Sequence, residues 1–197
     1  SGGIRLALAA AIAGLFLVPL APSGAQAYTP PELTCGTSWD LLQALLKRHI
    51  SYRGLDTEIR GRAIDAYLEG IDPSKTLFLT DEITDLRRQL AGVFFALQNG
   101  ECDLLDEIQV DLVKRYAQME KDVRAFVEDE NYELDTDVRL ILDPDKRGHP
   151  SNDANRVKLL HRLVHFQMSN YLSSDMEIEK AKEKLVHRYE LMTKRAK

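Results

Sequence analysis

His161 and His165 have the spacing best suited to metal chemistry, because residues four apart on a helix project the same way. They occur as His-Arg-Leu-Val-His. A zinc peptidase would need a glutamate beside the first histidine; Arg162 stands there, and a cation repels a metal ion. His187 could supply a third ligand, but nothing in the sequence brings it near. The pattern reads as ordinary histidines on a helix surface. Glu101, Asp103, Asp106 and Glu107 form a carboxylate cluster where a helix should begin, and acidic side chains there complement the positive helix end. Asp135-Thr-Asp137 and Asp143-Pro-Asp145 lack the glycine and the distal glutamate of a calcium loop. There is no Gly-x-Ser-x-Gly elbow, no glycine-rich phosphate loop and no cysteine with a convincing histidine partner. From its residues alone, the chain is expected to carry no catalytic, cofactor-binding or metal-binding residues and to need no cofactor.

These side chains must be positioned by helices. The chain has 197 residues, 44% hydrophobic and 29% charged, enough apolar side chain for one core. A net charge of −5 gives no global attraction for nucleic acid. Apolar residues recur at three- and four-residue steps in six stretches. The first helix should start near Thr37 or Ser38 and bury Trp39, Leu42, Leu45, Leu46 and His49 or Ile50. Asp56 should cap the second, which carries Ile59, Ala63, Ile64, Tyr67, Leu68 and Ile71. The third carries Ile83, Leu86, Leu90, Val93, Phe94 and Leu97 and stops at Asn99-Gly100. The fourth, about 103–128, shows Leu105, Ile108, Leu112, Tyr116, Met119, Val123 and Phe126 inward, a bundle stripe more than a coiled-coil seam. Its Lys114, Arg115, Lys121 and Arg124, mixed with acids, read as a solvated face. After a long connector over 129–150, Ser151 or Asn152 should cap a fifth helix with Val157, Leu160, Val164, Met168 and Tyr171 inward. The sixth carries Ile178, Ala181, Leu185, Tyr189 and Met192. The connector should hold a short extended piece or a loop pinned by apolar residues. Val138, Leu140 and Leu142 alternate, a weak strand signal. The expected fold is all-α: an irregular bundle of about six helices with a long connector between the fourth and fifth.

Residues 1–27 differ in kind. Arg5 precedes an apolar run, and Ala25-Gln26-Ala27 closes it, the order of a cleaved secretory signal peptide; an anchor helix is the competing reading. Residues 28–36 read as an irregular lead-in, and 37–197 as the helical domain. Export would put Cys35 and Cys102 in an oxidising compartment, where they could form one disulfide or remain two thiols. Their spacing excludes a redox pair or a zinc knuckle.

Residues 67–83, Tyr-Leu-Glu-Gly-Ile-Asp-Pro-Ser-Lys-Thr-Leu-Phe-Leu-Thr-Asp-Glu-Ile, form the most distinctive stretch. Asp72-Pro73 ends one helix, Leu77-Phe78-Leu79 should tuck into a core, and Thr80 should cap the next helix, with Asp81 and Glu82 at its positive end. This stretch closely resembles the N-terminal helical domain of tail-specific proteases, the larger bacterial carboxyl-terminal processing peptidases. Lys47-Arg48-His49, Asn99-Gly100 and the region 157–189 extend the resemblance, although His149-Pro150 stands where the family often has Trp-Pro.

The resemblance implies part of an exported, periplasmic serine endopeptidase that takes proteins by their apolar C-termini. It also implies a PDZ domain and a Ser/Lys dyad elsewhere in the same polypeptide. No residue here matches the family's nucleophile setting, so the implied role is scaffolding the protease and shaping access to its site. The implied partners are those further domains and protein substrates, with no nucleic acid, and membrane contact only through the leader. The alternative is a stand-alone exported helical module that binds a protein or peptide without enzymatic activity. A sixth helix still in period at Lys197, and a start without Met, suggest a longer polypeptide.

Overall fold

The computed structural model describes residues 34–52 and 54–197; the expected leader at 1–27 and the expected lead-in up to residue 33 lie outside them. The described residues form eight helices and no strand: α1 Cys35–Arg48, α2 Thr57–Ile71, α3 Thr80–Leu90, α4 Val93–Gln98, α5 Asp103–Val127, α6 Pro144–Arg147, α7 Asp153–Leu172 and α8 Ile178–Ala196.

The all-helical class is as expected; the count is larger for two local reasons. The third expected helix breaks at Ala91-Gly92, where the Ala91 and Gly92 N–H groups reach back only three residues, to the Arg88 and Gln89 carbonyls. The connector also holds the single turn α6. Asp143 caps it by accepting the Asp145 N–H at 3.0 Å, Pro144 supplies a pre-set first residue, and Gly148, at φ 72°, ends it. The alternating Val138, Leu140 and Leu142 make no strand, since a strand needs a neighbour to complete its ladder and the described surroundings are helical.

Helix starts follow local capping chemistry. Thr34 caps α1, two to three residues ahead of the expected start, by accepting the Thr37 N–H at 3.3 Å. Asp56 caps α2 through the Ile59 N–H at 2.8 Å, and Asn152 caps α7 through the Asn155 N–H at 2.9 Å. Gly100 takes the left-handed conformation, φ 77°, that closes α4.

Two hydrophobic clusters share α5 as a spine roughly 37 Å long. The first joins the C-terminal part of α5 to α7 and α8, with Val123, Val127, Val164, Met168, Ala181 and Leu185 fully buried and Leu77 and Phe78 inserted from the α2–α3 corner. The second gathers Ile64, Leu68, Leu90, Val93, Phe94 and Ile108, with Trp39 and Leu42 of α1 packed against it. Several residues expected inward are exposed instead: Leu45, His49, Ile50, Ala63, Val157 and Ile178. Ile50 lies past His49, whose extended backbone takes it out of the helical period. Leu45 falls off the Trp39–Leu42–Leu46 stripe that α1 turns inward. Val157 and Ile178 sit near the starts of their helices.

Candidate functional site

The corner between α2 and α3 is the most highly organised polar structure in the described residues. As the chain leaves α2, the Asp72 carboxylate folds back over the residues that follow it. One oxygen accepts the Thr76 N–H at 2.9 Å; the other accepts the Leu77 and Phe78 N–H groups at 3.0 and 3.1 Å. Asp72 is only 1% exposed, so these bonds replace the water that a buried carboxylate loses. Lys75 takes a left-handed backbone, φ 52°, and its N–H bonds to the Asp72 carbonyl at 3.0 Å. Leu77 and Phe78 can then enter the core with their backbone donors satisfied.

Arg115 of α5 closes the corner from the other side. Its guanidinium lies 4.4 Å from the Phe78 ring centroid, donates to the Leu77 carbonyl at 3.0 Å, grips Glu82 with two 2.8 Å bonds and reaches Asp111 at 2.7 Å. Burial, the largest influence, pushes Glu82 up; the Arg115 and Leu79 hydrogen bonds, with the charges of Arg115 and Arg156, nevertheless hold it below the ordinary carboxylate range. Arg156 of α7 also donates to the Leu77 carbonyl, at 3.3 Å.

The segment before α7 completes the enclosure. His149 Nδ1 is 3.3 Å from the Phe78 carbonyl oxygen and 3.5 Å from Asp72 Oδ2. The Thr80 N–H bonds to the Pro150 carbonyl at 3.0 Å and its hydroxyl to the His149 carbonyl at 3.1 Å. Arg147 donates to the Ser74 carbonyl and, at 2.7 Å, to that of Ile141; Lys75 pairs with Asp145 at 2.7 Å.

This geometry corrects two sequence expectations and extends a third, the end of α2 at Asp72. Thr80 is not the cap of α3: it is the helix's first residue and ties the corner to residues 149–150, while Glu82 accepts the Leu79 N–H at 2.7 Å. Arg115 is not on a solvated face, because Glu82, Asp111, Leu77 and Phe78 surround it. Asp72 reads in sequence as a helix stop and proves to be the corner's central acceptor. The available signal was an aspartate followed by polar turn residues and an apolar trio, since Asp side chains commonly bond backbone N–H groups further along the chain. Chemically the corner is a brace. The oxygens of Asp72 and Glu82 already accept donors, and the Ser74 hydroxyl is bonded to that of Thr76 at 2.7 Å.

The candidate metal histidines lie elsewhere, half-buried and packed against aromatic rings. His161 stacks on Phe126, centroids 3.7 Å apart, and His165 stacks on Tyr132 at 5.7 Å while accepting the Asp135 N–H at 3.2 Å. Burial lowers the pKa of both; the His165 charge adds to the effect at His161, against Asp122, and Asp135 opposes it at His165. The cluster pins the start of the connector to α5 and α7. His187 is not brought to them: it faces Glu190 at 3.3 Å, and Glu190 also bonds Arg124. Among the described residues no group of three or more His, Cys, Asp or Glu could hold a metal ion. Asp103 and Asp106 occupy the first turn of α5; Asp143 and Asp145 cap and begin α6.

Cys35 and Cys102 form a disulfide, Cα atoms 5.9 Å apart, joining the start of α1 to the residue before α5. No helix of the described residues is long and apolar enough to cross a membrane. Two clefts border the corner. One, of about 450 Å³, is lined by charges of both signs, among them Glu82, Asp111, Asp122, Lys114, Arg115 and Arg156. The other, of about 520 Å³, lies between the connector and α7.

The family model for the tail specific protease N-terminal domain matches residues 41–197, from within α1 through α8. No curated protein matches the chain.

Proposed function

The chain belongs to the tail-specific protease N-terminal domain family, and from that premise we propose that it scaffolds an exported serine endopeptidase and shapes substrate access to it. In this reading the enzyme trims or degrades proteins from apolar C-termini. A PDZ domain and a Ser/Lys dyad elsewhere in the polypeptide supply recognition and chemistry. The observation that carries the reading is the family match across residues 41–197. The Asp72–Arg115 brace supports it, because a domain that orients others must hold its own elements in fixed relation. The Cys35–Cys102 disulfide supports export to the periplasm, an oxidising compartment.

The test joins this chain to the PDZ and protease segments of its polypeptide and follows cleavage of a peptide with an apolar C-terminus. The joined protein should cleave it and the 197-residue chain alone should not. Turnover by the purified chain that survives removal of contaminating proteases would overturn the reading. Export is checked separately by cell fractionation with thiol labelling: periplasmic protein whose cysteines label only after reduction is expected, and cytosolic protein with reactive thiols would refute it. The second reading, a stand-alone exported module binding a protein or peptide, draws support from the cleft of about 520 Å³ between the connector and α7, and a stop codon directly after Lys197 in the natural gene would favour it.

A further inference from the structure

The cleft between the connector and α7 differs in charge from the rest of the molecule. The chain is net acidic, and cations near the corner and core are bridged: Arg115 to Glu82, Arg124 to Glu190, Arg156 to Asp153. Arg139, Lys158 and Arg162 all line this cleft, are exposed, and have no carboxylate partner among the described residues. No carboxylate belongs to the cleft's lining. Lys158 and Arg162 are four residues apart on α7 and so share a face. Arg139 comes from the connector on the other side.

Arg147, also at the cleft, is already committed. Its guanidinium holds the Ile141 and Ser74 carbonyls and thereby fixes the connector against the corner. The rest of the lining combines apolar Leu140, Ile141, Pro150 and the buried Leu159 with polar His149, Ser151 and Asn155. A volume of about 520 Å³ lies within the roughly 300–1,000 Å³ range of ligand sites.

We propose that this cleft binds a short polypeptide segment carrying a carboxylate next to apolar side chains, with Arg139, Lys158 and Arg162 holding the carboxylate and Leu140, Ile141 and Leu159 receiving the side chains. Uncompensated cations beside apolar surface complement that combination. Inorganic phosphate would leave the apolar side chains unused. An anionic membrane is disfavoured because a chain of net charge −5 is repelled by an extended negative surface, whereas one peptide carboxylate senses the local cations. The cleft chemistry stands apart from the protease role and would serve either functional reading.

The test measures fluorescence anisotropy of fluorescein-labelled Ser-Gly-Val-Leu-Ala-Leu with the 197-residue chain at low and moderate salt. Three versions separate the carboxylate's source: free C-terminus, amidated C-terminus, and amidated with Glu replacing Ser. At least one acidic version should bind, more weakly as salt rises, and the neutral amide should bind about tenfold less well. K158E/R162E should weaken binding about tenfold, and R139E, on the opposite wall, should do so independently. K180E/K194E, exposed positions outside the cleft with the same change in net charge, should alter it less than about twofold. The proposal is overturned if the neutral amide binds equally, if the control variant loses as much as K158E/R162E, or if neither acidic peptide binds. Anionic vesicles or inorganic phosphate binding in a K158E/R162E-sensitive way, with no peptide bound, would equally overturn it.

Discussion

The two clusters on either side of the α5 spine are stabilised by different means. Around the corner, residues such as Phe78, Val123, Val164 and Leu185 are almost wholly inaccessible, and buried charge is neutralised by short, multiple hydrogen bonds. The layer of α1 to α4 is thinner. Within its cluster only Leu90 is almost wholly inaccessible, while Ile64, Val93 and Phe94 keep some exposure and Leu41, Leu45 and Phe95 remain 49%, 60% and 70% exposed. Covalent closure takes over there, with the Cys35–Cys102 bond tying α1 to the start of α5. A dense core can hold a charged brace because enough apolar area surrounds it; a thin layer gains more from a constraint on the unfolded chain.

The largest effect should come from Asp72→Ala, which leaves three buried N–H groups without an acceptor. Urea unfolding should show a loss of about 5 kcal/mol, with Asp72→Asn losing roughly half of that because one oxygen remains. A loss below about 1 kcal/mol would erase the distinction between the two regions. Removing the disulfide as C35S/C102S opens a loop of sequence separation 67 and should cost about 4 kcal/mol, with hydrogen-exchange protection falling in α1–α4 before α7 and α8.

Acid should act on the other side of the spine. His161 and His165 have folded pKa values below 6.5, so the unfolded chain binds protons first. Their contribution is whole above pH 6.5 and declines as pH falls from there through the lower folded values. NMR titration should place both imidazoles below 6.5, and stability should fall over that window while α1–α4 exchange is unchanged. Glu82 adds a further loss below pH 4.5 by the same sign. The smallest effect is expected from Leu45→Ser or Phe95→Ser, within about 0.5 kcal/mol, since little area leaves water there on folding.

Periodicity made the helices readable, and local chemistry made the caps at Asp56 and Asn152 readable, because both signals lie within a few residues. Leu77 and Phe78 announced themselves as apolar residues in a turn. The rest depends on partners distant in sequence. Nothing near Arg115 says that Glu82 and Phe78 will meet it, and His161 resembles a surface histidine until Phe126 is placed beneath it. Leu45 shows the converse: a residue in period is buried only if a neighbour covers that face. The cation pattern of Arg139, Lys158 and Arg162 was likewise hidden, because only the fold brings the connector beside α7.

The bond from the Thr80 N–H to the Pro150 carbonyl spans 70 positions of chain. At a synthesis rate of roughly 5–20 residues per second, several seconds separate the emergence of the Phe78 plug from that of the segment that seals it. Through that interval an aromatic destined for the deepest part of the molecule has no finished cavity to enter. Newly made chains should therefore be most prone to chaperone capture at this corner, and a nascent chain halted before residue 150 should display it to a protease.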